Sequence, residues 1–369
     1  MGLYLKIKAI TWVRDSHGLF DYDSSNTIQE VIKVVESGDI VRKGTEISFY
    51  NESFSSSEGV ILNINEKFNE FVLNMMKDEP AGLVIRELKS SQNKGFRLAA
   101  GDRLKIGKVV MNILETHETI KVMKQDYDEC EGSNLEDICC RICFRTHTNK
   151  IDPLLSLCDC LGSLALTHFF CLQKWVISKC IKKLNSHTLT YCWKTIDCEI
   201  CKKPIPLKFA YEGFDYSLID IPRPQGLYMI LEDTRNDKFK HIIHVLTPDI
   251  APLSLGRSSE CDLKINDISV SRSHATIEVF NNKFYIKDNF SKFGTLILVN
   301  KPVNLRANDN LAIQISRTVL YVSVKKKSTF CECLKCCKNR VAQEPILRRR
   351  TEIPWEEQSL QSPHSQFDN

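Results

Sequence analysis

The chain has no stretch approaching the ~18 uninterrupted apolar residues of a membrane-spanning helix. Its opening, MGLYLKIKAITWVRDSHGLF, breaks into charge too early for a secretory signal. Both absences read as a soluble, intracellular chain, cytoplasmic or nuclear. Neither sign of charge dominates, with 50 Lys plus Arg against 46 Asp plus Glu and a net charge of +4. No broad basic face is expected, so nucleic acid is not an expected partner. Apolar residues are not lacking, at 43% of 369, which argues against wholesale disorder and for two or three packed domains.

Cysteine is what the chain has in excess: 16 in all. In a reducing compartment disulfides are disfavoured, so clustered cysteines point to metal or redox chemistry. Most fall between Cys139 and Cys201. Four more lie together at Cys331, Cys333, Cys336 and Cys337, leaving Cys130 and Cys261 isolated.

Residues 1–112 carry short apolar alternations such as TEISFYNES and DRLKIGKVVMNILE, which read as strands. Residues 113–131 turn acidic and read as a linker. The cysteine block occupies 132–205 and a Pro-containing connector 206–225. In 226–325 the strand pattern returns: ATIEVF and KFYIKD flank Asn281-Asn282, a hairpin signal, and TVLYVSV closes the region. The tail, 326–369, is polar, with Arg348 to Arg350 reading as a solvated charge run. The expected fold class is therefore multidomain and mainly β.

Within the block the order is Cys140-x-x-Cys143, fourteen residues, Cys158-x-Cys160, seven residues, His168-x-x-Cys171, twenty-six residues, Cys198-x-x-Cys201. Eight soft ligands in four close pairs match two tetrahedral zinc ions, and in so small a module metal binding would supply much of the folding free energy. Cys139 adjoins Cys140 but lacks the spacing to Cys143. Cys180 and Cys192 read as spare thiols in an insertion.

CRIC, LCDCLGSLALTHFFCLQKW and CEICKKPI together resemble the RING-CH (RING-variant) zinc finger, with a PHD finger of the same ligand order as the rival. The single residue between Cys158 and Cys160, the seven before His168, and Trp175 four places after Cys171 favour RING-CH. The gap before Cys198 is slightly long, which leaves the conformation of 186–195 open. The resemblance implies a small two-zinc, cross-braced α+β finger, with one ion on Cys140, Cys143, His168 and Cys171 and the other on Cys158, Cys160, Cys198 and Cys201. Leu172, Trp175, Val176 and Ile181 at helical spacing add an amphipathic helix after Cys171. It also implies ubiquitin-ligase activity without a side-chain nucleophile, through positioning of a ubiquitin-conjugating enzyme by Ile142, Trp175 and Pro204. Each of the three has a plainer reading, as mini-core or turn. Family members are often membrane-bound through helices after the finger, and this chain has no such helix.

SLGRSSECDLKINDISVSRSHATIEV and DNFSKFGTLILVN resemble the forkhead-associated (FHA) domain, a β-sandwich whose loops bind phosphothreonine peptides. The resemblance implies phosphate contacts from Arg257 and Ser271, added charge from Arg272 and Lys292, and a loop-bracing role for His274. Such a site needs cationic and hydroxyl donors for a dianion with three acceptor oxygens. Lys292-Phe293 stands where many members carry Thr-Asn. An internal echo links Leu98-Ala-Ala-Gly-Asp102-Arg-Leu104-Lys-Ile106 to Leu305-Arg-Ala-Asn-Asp309-Asn-Leu311-Ala-Ile313, so 1–112 reads either as a second FHA-like domain without a phosphate site or as a chance likeness. The four tail cysteines leave three readings open: a third metal site, lipid acylation beside basic residues giving membrane association, or exposed thiols. The reading is a zinc-dependent RING-CH ubiquitin ligase that recruits phosphothreonine-containing partners. The alternative is a non-catalytic zinc-finger and FHA signalling adaptor.

Overall fold

A computed structural model describes residues 2–14, 18–51, 59–68, 70–76, 80–87, 95–117, 133–134, 139–185, 187–235, 241–248 and 252–326. The expectations for Cys130, the four tail cysteines and Arg348 to Arg350 fall outside these residues. The described chain is mainly strand, in one twelve-stranded sheet, two five-stranded sheets and three short hairpins.

Alternation drives the strands. In Leu3–Trp12 the side chains of Leu3, Leu5, Ile7 and Ala9 are buried while Lys6 and Lys8 face out. Such a strand needs an apolar layer opposite, and Leu62, Ile64, Phe71 and Leu73 supply it from Val60–Lys67 and Glu70–Met75. The expected hairpin at Asn281-Asn282 is present. Both residues adopt left-handed φ, 49° and 59°, the twist-matched form of a two-residue turn.

The chain does not divide into self-contained β units at the expected boundaries. Residues 96–117 leave the N-terminal strands and complete the second sandwich. Phe96–Arg97 pairs with Lys283–Asp288, Arg103–Ile106 with Thr295–Val299, and Val109–His117 with Tyr228–Asp233. Leu98, Leu104, Ile106 and Met111 lie in one core with Leu231, Leu255, Ile277 and Phe284. The exchange is reciprocal. Val303–Leu305, Asn310–Ile315 and Thr318–Lys326 pair with Glu70–Met75, Ala81–Val84 and Leu3–Trp12, closing the first sandwich. Where the two crossovers meet, Ala81–Val84 and Thr295–Val299 lie antiparallel, Leu296 opposite Val84 and Val299 opposite Ala81.

Two further boundaries shift for packing reasons. Residues 113–117 are strand, not acidic linker: Ile113 is buried, and Glu115 accepts hydrogen bonds from the Tyr228 hydroxyl and Arg223. The connector is part of the finger. Lys208–Tyr211 and Phe214–Ser217 form a hairpin whose Phe209 and Tyr216, with buried Leu218, pack on Phe169, Leu172 and Val176.

The finger's α-helix, α1 (Phe169–Ser178), begins before Cys171 and ends short of Ile181, which is exposed and starts a strand instead. Ile181–Asn185 and Thr188–Trp193 form a hairpin, and Thr188–Trp193 pairs with His241–Leu246 of the second sandwich. The long gap before Cys198 is thus used to add two strands to the twelve-stranded sheet. Cys192 stands in this hairpin's first rung, opposite Ile181, and Cys180 lies just before it.

Candidate functional site

Two knuckles hold the metal-ligating pairs. Phe144 donates its N–H to the Cys140 carbonyl at 2.8 Å and Cys140 to Arg145 at 3.0 Å; Lys202 donates to Cys198 at 2.9 Å and Cys198 to Lys203 at 2.9 Å. Phe144 and Lys202, each directly after its Cys-x-x-Cys, take left-handed φ of 58° and 62°. Both turns aim two sulfurs at one point. Thr167–His168 and the start of α1 bring His168 and Cys171 to the first knuckle, and 158–160 reaches the second.

The result is two tetrads, Cys140, Cys143, His168, Cys171 and Cys158, Cys160, Cys198, Cys201, with the four ligand atoms of each within 4.8 Å of one another. A Zn–S bond of about 2.3 Å sets tetrahedral ligand atoms roughly 3.8 Å apart. Cys160 and Cys198 sulfurs are 3.7 Å apart, and Cys143 Sγ is 3.2 Å from His168 Nδ1. Donor set and spacing fit two zinc ions. Burial raises the Cys198 and Cys140 thiols, but backbone N–H donors more than offset it, leaving them lowered to about 6 and about 7. Burial and neighbouring thiols push Cys160 and Cys171 up to about 12. Each tetrad therefore sets a thiol lowered by backbone N–H donors beside one raised by its neighbours, and metal binding would displace the remaining protons.

One contributor has no signal in the ligand spacing. Arg141, between the first two ligands, points its guanidinium at the other tetrad, 3.7 Å from Cys158 Sγ and 3.8 Å from Cys198 Sγ, and donates to Leu164 O at 2.8 Å. Four thiolates around a dication leave net negative charge, which this cation offsets.

Ile142 and Pro204 are exposed beside the knuckles. Trp175 is half-buried on α1, its ring 5.2 Å from the Lys179 ammonium, which pairs with Glu199 at 2.6 Å. It lines a cavity of about 990 Å³ between finger and sandwich together with Trp193, Arg235, His244 and Lys264; Ile142 and Pro204 do not line it.

The second candidate site lies on loops at one end of the second sandwich. Arg257 N donates to Ser271 O at 3.0 Å and Ser258 N to Arg272 O at 3.2 Å, so two loops are laced together. A Cβ on Gly256 would collide with the Arg272 carbonyl, which is why glycine precedes Arg257. His274, fully buried, accepts from Ser271 N at Nδ1 (3.0 Å), so Nε2 carries the proton donated to Gly294 O (3.1 Å). Burial lowers its pKa, keeping it neutral. The third loop is held by Asp288, whose carboxylate accepts from the Ser291 and Thr295 hydroxyls at 2.6 Å each. Lys292 N donates to the Ser271 hydroxyl at 3.1 Å. Arg257, Arg272 and Lys292 are exposed around half-exposed Ser271. Three loops thus present guanidinium, hydroxyl and ammonium groups in one place, the donor set a phosphate monoester needs. The Lys292 ammonium, however, lies 3.4 Å from Asp21 of the first sandwich.

Among the described residues no helix is long and apolar enough to cross a membrane. Residues 140–201 match the RING-variant domain family and 253–314 the FHA domain family. The E3 ubiquitin-protein ligase MARCHF7 of Rattus norvegicus is 33% identical over 164 residues, covering 41% of this chain and 20% of that one. The probable E3 ubiquitin-protein ligase MARCHF10 of Homo sapiens is 30% identical over 159 residues, 40% of this chain and 18% of that protein. The E3 ubiquitin-protein ligase marc-3 of Caenorhabditis elegans is 33% identical over 112 residues, 28% and 22% of the two chains. This chain thus spans about a fifth of the length of the curated relatives it matches. No solved structure matches it significantly.

Proposed function

We propose that this chain is a zinc-dependent ubiquitin ligase of the RING-variant type, acting in cytosol or nucleus, whose FHA sandwich recruits phosphothreonine-containing proteins. The observation carrying the first half is the pair of interleaved tetrads with the RING-variant match over the same residues. Relatives named as ubiquitin ligases share that region. Bound zinc would supply fixed geometry, one ion tying the first knuckle to His168 and to Cys171 on α1, the other tying the second knuckle to Cys158 and Cys160.

The chain's own residues then act by positioning. Ile142 and Pro204, exposed beside the two knuckles, and Trp175 on α1 form the surface for a ubiquitin-conjugating enzyme. No side chain attacks the thioester; holding the donor in a reactive pose lowers the entropic part of the barrier. Arg257 and Ser271 bind the phosphate of the partner, with Arg272 and Lys292 adding charge beside them; charge-assisted hydrogen bonds contribute about 1.5–3 kcal/mol each.

An autoubiquitination assay against a panel of conjugating enzymes tests the ligase. Wild type should form ubiquitin conjugates with at least one, and Ile142→Ala or Pro204→Ala should reduce conjugation while both zinc ions stay bound. No transfer with any conjugating enzyme, from folded protein holding two zinc ions, would establish the adaptor instead. For the FHA site, Arg257→Ala should abolish phosphothreonine-peptide binding without unfolding the sandwich.

A further inference from the structure

Three cations surround the candidate phosphate site, and they are not equivalent. Among the described residues, neither Arg257 nor Arg272 forms an ion pair with a carboxylate. Arg257 Nε donates only to the Val270 carbonyl, at 3.3 Å. Lys292 does face one: Asp21 Oδ2 lies 3.4 Å from its ammonium. Asp21 belongs to the first sandwich, 271 positions away in sequence. Its side chain is 11% exposed and that of Lys292 54% exposed.

The meeting is built, not incidental. Tyr22 N donates to the Lys292 carbonyl at 2.9 Å, and the Tyr22 ring fills the space over Gly294, where a Cβ would come within 2.6 Å of it. The Tyr22 hydroxyl donates to Gln314 at 3.0 Å. Arg86 stacks over the same ring at 4.7 Å and donates to the Ser291 carbonyl at 3.2 Å. Asp21 Oδ1 is itself fixed by accepting from Asp23 N at 3.0 Å. A segment of one sandwich therefore grips the recognition loop of the other and sets a carboxylate against its lysine.

We propose that Asp21 is a specificity-determining residue of the phosphopeptide site, the resident counter-ion that a ligand must displace from Lys292. The proposal rests on the FHA reading above. In the ligand-free site Lys292 is paired with Asp21. A dianionic phosphothreonine competes for it, and a singly charged carboxylate, being no stronger an anion than Asp21, does not. The pair lowers overall affinity and sharpens the preference for phosphate over acidic mimics.

The test uses the full chain and a degenerate peptide library with a fixed central phosphothreonine, beside its unphosphorylated and aspartate-substituted twins, at low and high salt. Asp21→Asn keeps the acceptor for Asp23 N and removes the charge. It should tighten phosphopeptide binding roughly two- to fivefold at low salt, the range of a single exposed ion pair, with the gain shrinking at high salt. Binding of the aspartate twin should rise from background. In a Lys292→Met background the same substitution should change nothing. The inference is overturned if Asp21→Asn leaves affinity unchanged or weakens it, or if the gain persists without Lys292, while Arg257→Ala still abolishes binding. If neither wild type nor Asp21→Asn discriminates phosphorylated from unphosphorylated peptide, the FHA reading fails, and this inference with it.

Discussion

Asp102 and Asp309 hold the same turn in two places. Asp102 Oδ2 accepts from Ala99 N at 2.8 Å and its carbonyl from Ile113 N at 2.9 Å; Asp309 Oδ2 accepts from Arg306 N at 2.7 Å and its carbonyl from Val324 N at 2.9 Å. Gly101 and Asn308, one residue earlier, share left-handed φ, 92° and 71°. The two turns open equivalent closing hairpins, and each hairpin is seated in the sandwich begun by the other half of the chain.

This exchange makes the second sandwich depend on residues far from its family match. Leu104→Ala, in a fully buried position among Leu231, Leu255 and Phe284, should destabilise that sandwich by about 2–5 kcal/mol and weaken phosphopeptide binding near its melting temperature. A fragment of residues 226–326 alone should lack a stable fold, measured by amide dispersion in NMR. Adding a peptide of residues 95–117 should restore it, and a well-folded monomeric fragment without that peptide would refute the dependence.

Zinc removal should act locally. Elemental analysis should find two zinc ions per chain, and chelation should melt α1 and expose Phe169, Leu172 and Val176, which lean on the tetrads rather than on either sandwich core. Hydrogen exchange should rise across 139–178 and 194–205, while Thr188–Trp193, paired with the sandwich, and the buried strands Leu3–Trp12 and Ala275–Phe280 stay protected.

Arg141→Met keeps the length of the side chain and removes the donors to Cys158 and Cys198. Zinc affinity of the four-cysteine site should fall roughly tenfold, read from chelator competition, with the other site less affected. Arg141→Lys should recover part of the charge but not the forked contact. Equal weakening of both sites would argue for a general folding defect.

His244 makes stability pH-dependent. It is buried beside the Thr190 hydroxyl (2.9 Å) and near Asp233 and Arg235, and burial lowers its pKa from 6.5 to about 4. Between those values the unfolded chain takes the proton and the folded chain does not. Stability is therefore full above pH 6.5, falls as pH drops towards 4, and levels below it, a loss of at most about 3 kcal/mol. Zinc loss in acid is common to wild type and His244→Gln, so the difference between their denaturation profiles isolates the histidine and should shrink as pH falls through that window.

Local chemistry is legible in the sequence and long-range pairing is not. Cys140 and Cys143, or Ser271 and His274, advertise themselves by spacing because the turn that uses them is a few residues long. The alternation of Val109–His117 predicts a strand with one buried face, yet it reads the same whichever sandwich receives it, so the exchange stays hidden. Glu115 looks like linker charge until Tyr228 and Arg223 are placed beside it. The echo around Asp102 and Asp309 carries the repeat but not its direction. Asp21 and Lys292 meet only once both sandwiches are closed.

The finger's hairpin is hydrogen-bonded to the second sandwich through Thr188–Trp193 and His241–Leu246, and the same sheet runs on to Thr295–Val299 behind the phosphate loops. The hairpin also touches the sandwich directly, Asn185 Nδ2 donating to the Asp262 carbonyl at 3.1 Å, five residues beyond Arg257. On the proposed function, the recruiting site and the transfer site are the two marks of a ruler and not the two ends of a tether. Acceptor lysines would then be chosen by their offset from the phosphothreonine, and a partner whose lysines all lie nearer or farther would be held without being modified.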